Sequence, residues 1–510
     1  MIKNPDDLLN DVRKASPQIA DAREVAALIE SFGYNDRSMK EWGFPDVFSL
    51  AEHIFVRFPQ DPAAEPKVAR NRRWLSVLTE IKWAMRKFSL SFAYSIPWMA
   101  LLALEYLRPD ALQVSPEFGG ALSLSLIASL IATGGFIQMI SRSGNFYFGL
   151  QQPFLARRSC VQLLYVGLTS SLLVALLGLI LGLYFHVFAG GYLMLAAINY
   201  VTLSVLWMLC AVLSVQGIGW CIPFIFLTSA LTISLTKILA HSGTVILLML
   251  WPLVAVLCAV ACALVGFHLA ETKNPGGRDS ARPRFSVTFI SLVPFYVYGT
   301  CYFSFLFADR LTAGTAIPWV SGLSFGIDPA YKRGMDLVLL AFLITAALVE
   351  YLSDSFLRYW SRLAAALQLA KNDQLVASLR RRHSKIMFVI FAVFIVISVV
   401  AWFAFCRSSG LASSPRLLET AALGGLGYLM LSMALLENII LASINATSLA
   451  LRAVAVGLAV NLLAGYGLGH LFGVQFAAVG LLTGSAVVLW KCNAAVRQVL
   501  RHPDYHYSIA

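Results

Sequence analysis

Charged and amide side chains are scarce inside the long apolar runs of this sequence, and those that occur there are its candidate chemistry. Each is costly in hydrocarbon unless it lines a water-filled path or finds a partner. The set is Glu105, Gln138 with Arg142, Asn199, Lys237, the pair Asp309–Arg310, Glu350 with Asp354, and Glu437 with Asn438. Taken singly, a snorkelling side chain or an interhelical hydrogen bond accounts for any of them. Taken together, they read as a polar path between two groups of helices.

Catalytic signatures are missing. The phosphate-cradling GxxxxGK[ST] does not occur, and neither do GxSxG, HExxH or a CxxC zinc spacing. His186, His241, His268 and His470 are scattered near the ends of apolar runs, and Cys258 and Cys262 have no acidic or imidazole ligand beside them. The reading is of a non-enzyme with no cofactor and no metal site.

The elements that must position these groups are membrane spans. Of 510 residues, 58% are hydrophobic and only 13% charged, with a mean hydropathy of +0.73. A soluble chain carries about twice that charge. The runs are continuously apolar over the ~20 residues a helix needs to cross a bilayer, which excludes the alternating pattern of a barrel. The expected fold is all-α and polytopic, with twelve spans at about 88–107, 118–141, 162–186, 189–214, 218–240, 244–270, 285–308, 335–352, 386–406, 418–441, 452–471 and 473–490. The last two join through a tight turn at Gly473, which leaves a re-entrant pair open there. Pro97, Pro223, Pro252 and Pro294 fall inside spans, where they free carbonyls and create hinges.

Charge fixes the expected orientation. Among the 39 Lys and Arg, only Arg108, Arg310, Lys332, Arg333, Arg407 and Arg416 fall in loops opposite the termini, and Lys237 lies within a span. All others fall on the side of the termini, as the positive-inside rule requires of cytoplasmic segments. The net charge of +12 then reflects topology rather than nucleic-acid binding. The start of the sequence has no apolar h-region, so no cleavable signal peptide is expected.

Residues 1–66 read as a cytoplasmic helical domain with a Pro-rich linker, its third helix burying Val47, Phe48, Leu50, Ala51 and Ile54. Residues 67–87 form a basic amphipathic segment. There Arg70, Arg72, Arg73, Lys82, Arg86 and Lys87 would meet lipid headgroups, with Trp74 and Trp83 at the boundary. Residues 88–270 make an N-lobe of six spans, 271–284 a charged, Gly/Pro-rich cytoplasmic linker, 285–490 a C-lobe of six, and 491–510 a cytoplasmic tail. A second basic helical segment at 353–385 is expected to lie on the cytoplasmic surface. Asp309–Arg310 then ends its span on the far side, as a gate or cavity-rim element.

At the seventh and eighth spans, FYVYGTCYFSFLFADRL and DPAYKRGMDLVLLAFLITAALVEYLSDSFLRYW resemble motifs of PelG-type exopolysaccharide transporters. The resemblance places Gly299, Asp309 and Arg310 on the first motif and Glu350, Phe356 and Tyr359 on the second. NYVTLSVLWMLCAVLSVQGIGWCIPFIF, the ending NLLAGYGLGHLFGVQFAAVGLLTGSAVVL and Pro503–Asp504–Tyr505 extend it over about residues 88–510. Arg310 stands where the family has Lys, the Trp expected before Asp309 is absent, and residues 1–80 lie outside the match.

The resemblance implies a member of the MOP flippase superfamily. Two six-helix lobes would enclose a cavity and export an exopolysaccharide or saccharide-lipid across a bacterial inner membrane by alternating access. Both termini would be cytoplasmic, and a cytoplasmic glycosyltransferase and other membrane subunits would be partners. On that reading Arg142, Lys237 and Arg310 hold anionic or hydroxyl-rich groups, while Asp309, Glu350 and Glu437 take up protons or pair with those cations. An ion-coupled multidrug or metabolite antiporter of the same superfamily is the alternative. A non-transporting scaffold of a polysaccharide synthase is a third.

Overall fold

The computed structural model describes residues 22–31, 42–57, 116–240, 244–273, 285–317, 325–326, 328–366, 372–409, 415–444 and 446–501, with single positions among 8–39 and 85–92. The chain divides into two compact units, residues 1–82 with 365–372, and residues 83–364 with 373–510. Outside the described residues lie the basic segment carrying Arg70, Arg72, Arg73, Trp74, Lys82, Trp83, Arg86 and Lys87, nearly all of the first expected span, and the inter-lobe linker.

In the smaller unit, α1 (Ala22–Ser31) and α2 (Val47–Arg57) share a core. Val25, Ala26 and Ile29 meet Val47, Leu50, Ala51 and Ile54, joined by Leu8, Val12 and Met39. Spacings of three and four put those positions on one stripe of a helix. Phe48 falls outside the stripe and is 58% exposed, contrary to expectation. Asp46 caps α2, its Oδ1 accepting from both the backbone N and Oγ of Ser49 at 2.7 Å. Those two bonds hold the carboxyl below its ordinary range.

The larger unit is a bundle of α3 (Pro116–Gly149), α4 (Pro153–Tyr184), α5 (Gly190–Val215), α6 (Cys221–Ala240), α7 (Thr244–Lys273), α8 (Phe285–Thr315), α9 (Pro329–Ala366), α10 (Asn372–Ser409), α11 (Pro415–Ser443), α12 (Thr447–Phe472) and α13 (Ala478–Val499). Among the described residues, ten helices are long and apolar enough to cross a membrane. Four helices begin at a proline, whose fixed φ and missing N–H suit the first helical position. Between α12 and α13, Gly473 adopts φ +115° and a 3₁₀ turn follows, so two membrane-length helices join in a tight hairpin.

Three boundaries differ from expectation. α8 does not end at Asp309–Arg310 but runs on to Thr315, because both side chains find partners on neighbouring helices. α9 does not end near Glu350 but continues unbroken to Ala366, and α10 starts at Asn372. The basic stretch at 353–385 is therefore the shared end of a helical hairpin rather than a separate surface helix. Its arms touch where Arg382 donates to Ser355 Oγ at 3.3 Å and stacks over the Tyr359 ring at 5.7 Å.

The N-lobe core joins Phe136, Met139 and Ile140 of α3 to Leu203, Leu206 and Met208 of α5, and Leu292 of α8 packs into it. The lobes meet where α3 crosses α8. A Cβ on Gly299 would collide with the carbonyl of Gly134 and the Gln138 side chain, and one on Gly135 with Tyr296 and Thr300. Small residues allow this approach, which in a bilayer supplies the packing that drives helix association. We predict that Gly299→Val costs about 1–3 kcal/mol by overpacking. Gly467→Ala, where an added Cβ meets nothing within 4 Å, should be neutral or slightly stabilising. Thermal unfolding in detergent reads both.

Candidate functional site

α8 touches both halves of the bundle and carries the densest aromatic run in it. Phe295, Tyr296, Tyr298, Tyr302 and Phe303 fall within nine residues and are all half-buried. On the N-lobe side, Tyr296 meets Phe136 edge-on at 5.0 Å. The exposed Arg142 stacks its guanidinium over Phe295 at 5.3 Å, across the lobe boundary. Along α8 itself, Tyr298 and Tyr302 are one turn apart and stack at 6.1 Å.

One turn further on, the charges are locked. Asp309 is 0% exposed. Its Oδ2 accepts from the Tyr331 hydroxyl of α9 at 3.0 Å and lies 3.5 Å from Arg310 Nη1, while Oδ1 has no hydrogen-bond partner. Arg310 donates from Nη1 to the Tyr428 hydroxyl of α11 at 2.8 Å and from Nη2 to Asp336 Oδ1 at 3.3 Å. Asp336 Oδ2 in turn meets Lys332 Nζ at 3.3 Å, one turn away on α9. Two carboxylates thus face two cations, and the cluster ties α8, α9 and α11 together where α8 ends and the other two begin.

A second buried group sits at the opposite end of the same helices. His383 Nε2 of α10 lies 3.0 Å from Glu437 Oε1 of α11. The Cys492 thiol of α13 donates to Asn438 Oδ1 at 3.2 Å. Glu437 Oε2 and Asn438 Nδ2 have no hydrogen-bond partner.

Of the other candidate residues, Asn199 is buried in the N-lobe, its Nδ2 donating to Ser125 Oγ at 2.7 Å beside the Trp207–Ser129 bond at 3.0 Å. It joins α5 to α3, away from both C-lobe clusters. Glu350 is exposed in the middle stretch of α9. The side chain of Lys237, on α6, lies outside the described residues.

Comparison with solved structures gives this bundle relatives. A mutant form of the Vibrio cholerae MATE transporter VcmN is similar over 83% of this chain and 98% of its own, at 15% identity and a TM-score of 0.56. An outward-facing multidrug resistance MATE family transporter of the MOP superfamily is similar over 84% of this chain and 97% of its own, at 12% identity and a TM-score of 0.55. Its inward-facing counterpart is similar over 81% and 94%, at 11% identity and a TM-score of 0.51. The fold is that of a MATE transporter. No family model and no curated protein matches the sequence.

The MATE-like fold has two six-helix lobes, and the α3–α8 crossing is their boundary. Of the candidate residues, Arg142 reaches that boundary, Asp309–Arg310 and Glu437–Asn438 anchor opposite ends of the C-lobe, and Asn199 stays within the N-lobe. Tyr331, Lys332, Asp336, Tyr428, His383 and Cys492 complete the clusters and were not among them. The i,i+4 pair Lys332–Asp336, with Asp336 inside an apolar run, was the available signal.

Removing one partner from a buried ion pair strands the other. Arg310→Gln is expected to cost about 3–5 kcal/mol. Lys332→Gln, at the partly exposed rim, should cost under about 1 kcal/mol. Unfolding temperatures of the two purified variants check the ranking, and equal losses would contradict it.

Proposed function

We propose that this chain exports an exopolysaccharide or saccharide-lipid by alternating access between its two lobes. One observation carries the saccharide reading. The helix between the lobes presents half-buried aromatic rings and phenols, whereas the nearby charges neutralise one another. A sugar ring has an apolar face that stacks on aromatics and hydroxyls that bond to phenols. A cationic cargo needs instead a free carboxylate. The resemblance of α8 and α9 to PelG-type transporters supports the same cargo. That reading carries with it a bacterial inner-membrane location, cytoplasmic termini, and a cytoplasmic glycosyltransferase with other membrane subunits as partners. In it, Arg142 at the lobe boundary contacts hydroxyl-rich or anionic groups of the cargo.

The second reading is an ion-coupled multidrug or metabolite antiporter. It is favoured by the exposure of Glu350 on α9 and by the fact that the outward- and inward-facing relatives are multidrug resistance transporters.

Surface saccharide and drug resistance, measured in cells whose only copy is the variant, separate the two. The Tyr298→Ala, Tyr302→Ala double variant should lower surface saccharide tenfold or more, about 1.4 kcal/mol of lost stacking at the least. Changing both to Phe keeps the stacking and should retain most export. A drug-resistance defect with normal saccharide would overturn the saccharide reading in favour of the antiporter.

A further inference from the structure

The two buried clusters of the C-lobe differ in charge balance. In the Arg310 group, Asp309 and Asp336 are matched by Arg310 and Lys332, so the set is complete without an added ion. The His383–Glu437 pair is not matched in this way. His383 is 7% exposed and Glu437 is 0% exposed.

Their surroundings are otherwise uncharged. From α9, Phe356 lies edge-on to the imidazole at 6.1 Å, with Trp360 buried beside it. From α13 comes the Cys492 thiol, and from α11 the Asn438 amide. The nearby cations point elsewhere. Arg382 reaches Ser355 and Tyr359, Arg381 and Lys385 are exposed, and Arg358 of α9 has interactions of its own.

With the carboxylate ionised and the imidazole neutral, this pair buries one net negative charge. A lone buried charge is strongly disfavoured, and one added proton removes it, as imidazolium–carboxylate or as imidazole–carboxylic acid. Glu437 Oε2 accepts no hydrogen bond, so nothing else in its surroundings stabilises the second oxygen as an anion.

We propose that His383 and Glu437 form a proton-binding site of the transport cycle. The pair takes one proton from water at that end of the C-lobe when it is occluded, and returns it to water when the packing of α10 against α11 opens. The assignment of this proton to transport rests on the alternating-access reading above. The proton site itself does not.

The test is infrared difference spectroscopy of the full chain in lipid nanodiscs between about pH 6 and about pH 8, the range around an ordinary imidazole. Wild type should show the carbonyl band of a protonated carboxylic acid, or imidazolium bands, appearing with a single titration step. Glu437→Gln keeps the shape and hydrogen-bonding capacity of the side chain and should abolish the step. His383→Gln should displace or abolish it. Wild-type-like titration in a folded Glu437→Gln protein would overturn the proposal.

Transport in proteoliposomes gives the second readout. The wild-type pH profile should carry a step that Glu437→Gln flattens. A pH step surviving in Glu437→Gln overturns the coupling role. Absence of transport in the wild type, with the infrared step intact, counts against the transport reading and leaves the proton site standing.

Discussion

A charged group inside a bilayer has no water to turn to, so its partners decide where its helix sits. In this chain Arg310 is the clearest case. Its guanidinium spans three helices, meeting Asp309 on its own, Asp336 on α9 and Tyr428 on α11. Tyr331 binds Asp309 from α9 as well. The C-lobe is thereby fastened at one end, and the His383–Glu437 contact fastens the other. Between these ends the helices pack on glycine. Gly457 and Gly465 of α12 face Gly484 and Gly480 of α13, and Asn461 donates to the Phe305 carbonyl of α8 at 3.0 Å. A lobe held in this way moves as one body.

The contact between lobes has different chemistry. Where α3 crosses α8, glycine meets glycine, and around that point the contacts are aromatic stacking and a guanidinium over a ring. No ion pair between these two helices is present among the described residues. Close but weakly polar contacts suit surfaces that separate and rejoin, since opening them strands no buried charge. Firm polar ties within the C-lobe and soft packing at the boundary are what rigid-body rocking of two lobes demands.

Much of this architecture was legible in the sequence. Apolar runs near twenty residues located eleven of the helices, because a span must be that long and that apolar. Their ends were less legible. Asp309–Arg310 and Glu350 look like span ends when charge is read along one helix, but Asp309 and Arg310 are answered from other helices and α9 simply continues past Glu350. His383 was hidden for the opposite reason. It lies in Arg380–Arg381–Arg382–His383, a run that reads as solvated, yet the helical twist turns the imidazole inward while Arg381 and Arg382 stay exposed. Such pairings are set by neighbours 26 to 118 residues away, and no local pattern encodes them.

The central claim is that the two lobes move against one another about the α3–α8 crossing. The most direct measurement is the distance between spin labels at Tyr184→Cys, at the end of α4, and Leu471→Cys, at the end of α12, on a background with native cysteines replaced. Both sites are exposed, at 75% and 77%, and one lies in each lobe. The account predicts two distance populations whose weights change with pH and with added saccharide-lipid. A single distance under every condition would contradict it.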